Sequence, residues 1–331
     1  MNYRTIVAPK DYDFNISHQS NLLLIGSCFS ENIGNKLITN KFNTLINPSG
    51  ILFNPISIVN TLNDIIEEKE FTEKDLHFEN GLYHSFAHHG RFSDLNSEEV
   101  LTRINQSRVG ATLFLKKTDV IIITLGSSWA YRHNDTGEFV ANCHKVPNKK
   151  FTKELLEVDF IVEKLQGVID KLQAINSTLK VIFTVSPVRH WKDGAEENTL
   201  SKSILNVAIH QLACSKSIYY FPAYEMIIDD LRDYRFYKED MLHPNSVAVD
   251  YVWNGFGDAL FSDETLTLNK IICKIDSARK HRSFNSLADE HQRFLQIQLK
   301  NIADLKKKNP TISFDDEIGF FDNQLIINQP E

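Results

Sequence analysis

The stretch of sequence that decides the fold is NLLLIGSCFS at residues 21–30. Residues 21–25 are short and apolar and stop at Gly26, which is the pattern of a buried strand that closes in a tight turn. Residues 30–40, SENIGNKLITN, can continue as a helix. A buried strand followed directly by a helix is the opening unit of a parallel sheet covered by helices. The beginning of the chain therefore predicts an α/β fold.

Three later apolar runs also have strand length, and longer segments with helical spacing separate them. The runs are DVIIITL at 119–125, KVIFTV at 180–185 and, more weakly, SIYYF at 217–221; the helical segments are 152–175 and 193–215. The first run is rich in β-branched residues and closes at Gly126, so it is the clearest central strand. The alternation predicts a three-layer α/β/α fold with a parallel sheet.

Two other regions differ from this alternation. Residues 81–106 are polar and rich in histidine, and they predict an insertion or long loop. Beyond residue 262 apolar positions recur at helical spacing. We therefore predict an α/β domain over 1–261 and a C-terminal helical extension over 262–331 that packs on it. These helices can cap the domain or mediate a homodimer, and packing within the chain is the simpler expectation.

Composition and charge exclude several classes of protein. The chain has 36 Lys and Arg against 43 Asp and Glu, a formal net charge of −7, and 42% hydrophobic residues, which is incompatible with disorder as the main state. The basic residues are scattered, so the sequence predicts no nucleic-acid partner. It shows no secretory signal, and no apolar stretch approaches the roughly 20 residues of a membrane span. We predict a soluble, cytoplasmic protein without a membrane partner.

Neither the cysteines nor the histidines predict a metal site or another cofactor. The four cysteines stand far apart and form no CxxC pair: Cys28, Cys143, Cys214 and Cys273. His84 and His88 are four residues apart, but the glycines around them favour a loop, and no carboxylate stands at a zinc-site spacing. We predict no metal and no cofactor, and we expect this loop, with His89, to contact a substrate.

Small polar residues follow the predicted strands, where the ligand crevice of an open α/β sheet lies. After the first strand come Ser27 and Cys28, at a helix N-terminus that lowers a thiol pKa and offers backbone N–H groups to an oxyanion. After the central strand come Gly126, Ser127 and Ser128. Ser128 is as well suited to capping a helix as to donating to an oxyanion.

Two further segments supply titratable groups. Asp240 stands three residues before His243, a spacing that lets the carboxylate hold the imidazole in one tautomer. Such a pair is also what a capping Asp and a surface His would give. Arg189 and His190 follow the strand at 180–185. Arg189 is equally suited to an anionic substrate group and to an ordinary ion pair.

Several of these segments together, in this order, resemble the GSCFA family, which is itself similar to the SGNH/GDSL hydrolase superfamily. They are GSCFS at 26–30, NPSGILFNP at 47–55, TLGSSWAY at 124–131, NCHKVP at 142–147, SPVRH at 186–190 and DMLHPN at 240–245, and they span most of the chain. The resemblance implies the SGNH fold, a flavodoxin-like three-layer α/β/α arrangement, and a hydrolase-like site.

Carried over residue by residue, the resemblance makes His243 the general base and Asp240 its orienter. The nucleophilic serine of the superfamily is the second residue after a glycine, and counting from Gly26 that position holds Cys28. Ser27 lies one residue earlier and stays open as the second choice. A thiol paired with an imidazole suits acyl transfer, so the substitution is chemically acceptable.

The oxyanion donors implied by the resemblance also differ from the family pattern. Gly50 matches a glycine whose backbone N–H faces the developing charge. After Gly126, Ser128 replaces the asparagine of the superfamily, and its shorter side chain reaches less far. We expect the substrate contacts to come from Asn47, His89, Arg189 and His190.

The sequence thus predicts an SGNH-like esterase or acyltransferase that acts on an acyl ester, of a carbohydrate or a small metabolite. A catalytically silent domain that binds an acyl or carbohydrate ligand is the alternative, because the asparagine is missing and the serine is shifted by one position.

Overall fold

The structure is a computed structural model that describes residues 4–281 and 283–325. The outer ends of the two predicted units, residues 1–3 and 326–331, lie outside the described residues. The strands are, in chain order, β1 (Asn21–Gly26), β2 (Asn43–Ile46), β3 (His77–Glu79), β4 (Leu82–His84), β5 (Val120–Leu125), β6 (Trp129–His133), β7 (Phe139–Val140), β8 (Phe151–Leu155), β9 (Lys180–Val185) and β10 (Ile218–Tyr220).

Helices connect and cover these strands. They are α1 (Cys28–Thr39), α2 (Pro55–Ile66), α3 (Ser97–Leu115), α4 (Val158–Ile175), α5 (Ala195–Leu212), α6 (Ala223–Glu225), α7 (Ser246–Leu260), α8 (Asp263–Lys280), α9 (Asp289–Lys308) and α10 (Asp315–Asp322). Among the helices of the described residues, none is long and apolar enough to cross a membrane.

The main sheet has five parallel strands in the order β10-β9-β5-β1-β2. Counting only these five strands along the chain, the order is the 2-1-3-4-5 arrangement of flavodoxin-like folds. The order of connection reverses between β1 and β5, and the ligand crevice of such a fold opens at this point. The predicted α/β/α fold with a parallel sheet is confirmed.

Both faces of the sheet are buried by helices. Side chains alternate along β1, so Leu22 and Leu24 pack with α1 and α7 on one face, whereas Leu23 and Ile25 pack with α2 to α5 on the other. A central parallel strand buried on both sides is continuously apolar, which is why NLLLI and DVIIITL stood out in the sequence.

The regions that flank β5 differ from the sequence-based expectation. The predicted helix over 152–175 begins as strand β8, because residues 151–155 pair with β6 in a small antiparallel sheet, β7-β6-β8. The predicted loop over 81–106 contains β4 and then the start of α3, which Asn96 caps by accepting the Glu98 N–H. Its polar composition concealed the helix, since only a narrow face, with Val100 and Ile104, is buried.

The C-terminal helices α8, α9 and α10 form a small apolar core of their own, which includes Ile302, Phe314 and Phe321. Polar contacts join these helices to the loop that follows α1. Lys41 forms an ion pair with Glu317 at 2.7 Å, and the Cys273 thiol donates to the side-chain oxygen of Asn40 at 3.3 Å.

Candidate active site

Backbone hydrogen bonds join the carboxyl end of β5 to the end of β1 and to the loop that precedes α2. Ser27 N–H donates to Thr124 O at 3.1 Å, and Gly126 N–H donates to Phe53 O at 2.8 Å. Gly26 has φ +135°, and a Cβ there would lie 2.1 Å from Thr124 O, so only glycine fits this turn. The tight turn places the next residues at the switch point of the sheet.

Cys28 is the first residue of α1 and is partly buried. No backbone carbonyl accepts from its N–H, which lies at a helix N-terminus, and its sulfur makes no hydrogen bond with any other described residue, although its own N–H faces the sulfur. Burial is the main reason why the pKa of the thiol is raised, and the carboxylate of Glu31 adds to it, while the charge of Lys202 acts in the opposite direction. Cys28 is therefore a protonated thiol at rest.

Ser27 has a structural task. Its side chain is 1% exposed, and its hydroxyl oxygen accepts the Phe29 N–H at 3.2 Å, which makes it the N-cap of α1. Of the two predicted nucleophiles, Cys28 is the one whose side-chain heteroatom is not used by the protein itself.

The predicted pair of Asp240 and His243 is formed. Asp240 Oδ2 accepts from His243 Nδ1 at 2.7 Å, while Oδ1 accepts the backbone N–H groups of Leu242 and His243, each at 2.9 Å. These hydrogen bonds lower the pKa of the Asp240 carboxyl to about 2. The carboxylate is ionised and fixes the imidazole tautomer, and Nε2 of His243 has no partner among the described residues.

His190 lies next to this pair. The pKa of His190 is lowered to about 4, mainly by burial, and the nearby Lys202 and His243 act in the same direction. Its ring packs edge-on against Phe53 at 5.1 Å, and its buried Nε2 has no partner within the described chain. The neighbouring Arg189 is half-exposed and makes no hydrogen bond or ion pair with a described residue. Both side chains remain free for a ligand.

The two predicted glycine donors are engaged within the protein. Gly50 N–H donates to Asn47 O at 2.8 Å, and Gly126 N–H donates to Phe53 O at 2.8 Å. Each group has to leave its present partner before it can donate to an oxyanion. Their hydrogen bonds instead hold the two loops in place.

Two other polar groups at this edge are buried and have no partner within the described chain. The Asn47 side chain accepts the Gly26 N–H at 2.8 Å through Oδ1, which fixes the amide and leaves Nδ2 unpaired. The hydroxyl of Ser128 is also unpaired. Unsatisfied polar atoms are rare in protein interiors and need an explanation, and a bound ligand is one.

The predicted contact residue His89 lies against the loop that contains Gly50. His89 N–H donates to Ser49 O at 3.0 Å, and a Cβ on Gly50 would come within 2.2 Å of the His89 Cβ. Arg91 donates to Asn47 O and pairs with Glu31 at 3.3 Å. The histidine-rich loop thus packs directly on the turn that holds Asn47.

The histidines of that loop mostly use their ring nitrogens in protein hydrogen bonds. His84 contacts Ser93 Oγ and Glu79 O, at 2.6 and 3.1 Å, and His88 Nδ1 contacts Ser85 Oγ at 3.0 Å. No group of three His, Cys, Asp or Glu side chains among the described residues is arranged to hold a metal ion.

The comparison with known protein families identifies the family of this chain. The pattern of the GSCFA family matches residues 21–256. The chain belongs to the GSCFA family. The family's C-terminal domain pattern, described as a GSCFA domain protein, matches residues 272–327. No curated protein matches the sequence. The family membership confirms the resemblance drawn from the sequence.

Solved structures similar to this GSCFA chain include several esterases. One is a carbohydrate esterase family 3 protein from Talaromyces cellulolyticus, with 11% identity over 76% of this chain and 98% of that chain, and a TM-score of 0.36. Another is an acetyl xylan esterase from the rumen bacterium Butyrivibrio proteoclasticus, with 11% identity over 72% and 63% of the two chains and a TM-score of 0.38. A family 3 carbohydrate esterase of Clostridium thermocellum has 10% identity over 76% and 97%, with a TM-score of 0.33.

Sequence reasoning missed Lys202 of α5, which is 1% exposed. Its ammonium donates to Gly126 O at 2.5 Å and to Ser186 O at 2.7 Å, so it ties together the ends of β5 and β9. Burial lowers the pKa of Lys202 to about 7. A signal was present: Lys202 stands at helical spacing from buried Leu205 and Ile209, on a face that should be apolar.

Proposed function

We propose that this GSCFA protein is an acyl-ester hydrolase or acyltransferase in which Cys28 is the nucleophile, His243 the general base and Asp240 its orienter. One observation carries the proposal most: the Asp240 carboxylate holds His243 Nδ1 at 2.7 Å and leaves Nε2 free. This is the base and orienter half of a catalytic triad, and it precedes α7 in a loop next to the strand ends.

The protonated state of Cys28 defines what the base must do. Nε2 of His243 takes the thiol proton as the sulfur attacks the acyl carbon, and the carbonyl oxygen becomes an oxyanion. When the carbon–oxygen ester bond breaks, the imidazolium returns the proton to the departing alkoxide, which leaves a thioester on Cys28. Water or an acceptor alcohol then releases the acyl group by the same steps. A thiol with a raised pKa depends on this base, whereas a preformed thiolate would not.

The oxyanion is stabilised, in this proposal, by groups without protein partners. The unpaired N–H of Cys28 lies at the positive end of α1, and the side chains of Asn47 and Ser128 add unpaired donors. The N–H groups of Gly50 and Gly126 hold these loops in position. They donate to the oxyanion only after their present hydrogen bonds break.

The substrate contacts belong to His89, Arg189 and His190. Arg189 and His190 lie in the loop that follows β9; His190 Nε2 is buried without a partner, and the Arg189 guanidinium forms no ion pair with a described residue. We expect an acylated carbohydrate or another small acylated metabolite, and the proposed chemistry requires no cofactor.

The test is a set of short-chain acyl esters and thioesters assayed with purified variants. Cys28→Ala is expected to abolish turnover, and Cys28→Ser to retain a fraction of it. Ser27→Gly is expected to stay active, because glycine is a tolerated N-cap and costs only a few tenths of a kcal/mol. Cys214→Ala, at an exposed cysteine, is the control. Loss of turnover in Ser27→Gly but not in Cys28→Ala would assign the nucleophile to Ser27.

A catalytically silent ligand-binding domain is the second candidate, and specific observations favour it. No hydrogen bond joins Cys28 to His243, and the N–H groups of Gly50 and Gly126 are already engaged. In that case wild type and His243→Ala are equally inactive, yet both bind acylated ligands. Turnover that depends on His243 excludes this candidate.

A further inference from the structure

A cavity of about 670 Å³ lies directly beside the Asp240–His243 pair. Asp240 belongs to its wall, together with residues from the segment after β9 and from the segment that precedes Asp240. A molecule in this cavity therefore lies against Asp240, the residue that holds the general base His243. The volume is sufficient for a ring with one or two substituents.

Exposed aromatic side chains form one part of the wall. Trp191 is 51% exposed and Tyr234 is 72% exposed, although large aromatic side chains are normally buried. Tyr237 also borders the cavity, with its ring centroid 6.2 Å from that of Tyr234. Flat apolar faces beside water are suited to stacking against a sugar or aromatic ring.

The charges around the cavity are not balanced. Arg189 and Arg232 line it, and neither guanidinium forms an ion pair with a described residue. Arg232 donates only to the Asp229 backbone oxygen, at 2.6 Å. The acidic side chains are already satisfied, since Asp233 pairs with Arg235 at 3.2 Å and Asp240 holds His243. The cationic hydrogen-bond donors of the cavity that lack an acidic partner are thus the two arginines.

We infer that this cavity binds the alcohol half of the substrate, and that this half carries a ring with an anionic group, a carboxylate or a phosphate, held by Arg189. The assignment of the ligand as a leaving alcohol rests on the proposed function, whereas the anion and ring preference does not. A planar guanidinium without a protein partner is the group that recognises carboxylates and phosphates through paired hydrogen bonds. Arg232 adds a second positive charge, and the aromatic side chains contact the ring.

A binding experiment tests the preference without any turnover. Benzoate and phenyl phosphate are compared with the neutral benzamide, with the fluorescence of Trp191 as the signal and Trp191→Phe to identify it. At least one anion is expected to bind about tenfold more tightly than benzamide, as a charged hydrogen bond warrants. The anion that binds more tightly identifies the group.

Arg189→Gln is expected to remove this difference, whereas Arg293→Gln, at an exposed arginine of α9, is expected to preserve it. Equal affinity for all three compounds, or a preference for the anion that survives in Arg189→Gln, overturns the inference.

A kinetic experiment separates this inference from the proposed function. We expect kcat/KM for 4-acetoxybenzoate to exceed that for its methyl ester, and Arg189→Gln to reduce the ratio of the two values towards one. Turnover of both esters at equal rates contradicts the inference and leaves the esterase standing. Absence of turnover, combined with tight binding of the anion, contradicts the esterase and leaves the inference standing.

Discussion

Two groups of histidines show how differently the same side chain behaves in this molecule. In the histidine cluster, formed by His77, His84 and His144, ring centroids lie 4.6 to 5.7 Å apart. Burial lowers the pKa of His77 and His144 to about 4. His243 has a side chain that is 41% exposed and a carboxylate partner at 2.7 Å. Proton transfer needs both access and a partner that stabilises the imidazolium, and only His243 has both.

The comparison explains why the number of histidines in a segment is a poor guide to function. Of this cluster, His84 lies in the histidine-rich segment 81–106; its ring stacks on His144, and the ring of His77 stacks on Phe86 at 3.7 Å. The ring nitrogens of His84 contact Ser93 and Glu79, and His144 Nε2 contacts Ser85 O at 2.8 Å, so these imidazoles serve the packing of the protein. A single His three residues after an Asp is the stronger indication of a catalytic imidazole, because this spacing places the carboxylate within hydrogen-bond distance of the ring.

The largest expected effect is a loss of kcat in variants of His243 and Asp240 that does not occur in a variant of the histidine cluster. His243→Gln is expected to reduce kcat for a short acyl ester by about 10²–10⁴-fold, which is the usual contribution of a general acid–base residue. Asp240→Asn is expected to reduce kcat within the same range, because the amide stabilises neither the tautomer nor the imidazolium. Steady-state kinetics measures both. His77→Phe is the control from the histidine cluster, and unchanged kcat is expected; equal losses in all three variants would refute the distinction.

The next effect concerns the unpaired hydroxyl at the end of β5. Ser128→Ala is expected to lower kcat by about 10²-fold if the hydroxyl donates to the oxyanion. It is expected to leave the melting temperature unchanged or raised, because Ser128 Oγ has no protein partner to lose. Kinetics and a thermal melt together decide the role. Unchanged kcat with a lower melting temperature would instead assign Ser128 a structural role.

Lys202 provides a test of how rigid the strand ends must be. Lys202→Met is expected to reduce the free energy of unfolding by about 2–4 kcal/mol, because two buried carbonyl groups, Gly126 O and Ser186 O, lose their donor. Denaturant unfolding measures this. Lys164→Met, at a lysine of α4 whose side chain is 42% exposed, is the control and is expected to change stability by less than about 0.5 kcal/mol.

The pH dependence gives Lys202 a distinct signature. Its pKa in the folded protein, about 7, lies below its ordinary value of 10.5, so between these values the unfolded chain binds more protons than the folded chain. The contribution of Lys202 to stability is therefore lost as the pH falls from 10.5 towards 7. The difference in stability between wild type and Lys202→Met should grow as the pH rises through this window, and a constant difference would contradict the burial of a titrating lysine.

The smallest effect concerns the stability of the histidine cluster. His77→Phe is expected to stabilise the protein by about 1 kcal/mol at neutral pH, since both ring nitrogens of His77 are buried without a partner in the described chain. The folded pKa of His77 lies below the ordinary 6.5, so wild type loses stability as the pH falls from 6.5 towards 4. The advantage of His77→Phe should grow over the same interval, and thermal melts at several pH values measure it. A variant less stable than wild type at every pH would show that the ring nitrogens are satisfied.

The sequence was sufficient where a property is local. The strand at 180–185 has the predicted bounds, because a fully buried strand must be continuously apolar, and the Asp240–His243 contact follows from a three-residue spacing. The edge strand β2 was missed, since Asn43 is exposed and the short segment has no apolar run. Strand β8 was assigned to a helix, because its pairing with β6 depends on residues about 18 to 26 positions away.

Long-range contacts account for what the sequence did not predict in the site. The N–H groups of Gly50 and Gly126 donate to carbonyl groups of the protein, and these contacts form only when the surrounding loops have folded. Ser27 caps α1 through a local hydrogen bond, and the sequence Gly26-Ser27-Cys28 allows this role. Only the structure shows that the Ser27 hydroxyl is used as a cap while the Cys28 thiol is not. Lys202 reaches the strand ends from another element, although its place on a buried helix face marked it as unusual.

The central claim is that Cys28 is acylated with His243 as its base. The most direct measurement is peptide mass spectrometry of the protein after brief reaction with 4-nitrophenyl acetate and an acid quench, in wild type and His243→Ala. We predict an acetyl group on Cys28 in wild type, with its rate of formation strongly reduced in His243→Ala. Acetylation at another residue, or at Cys28 at the same rate in both proteins, would contradict the account.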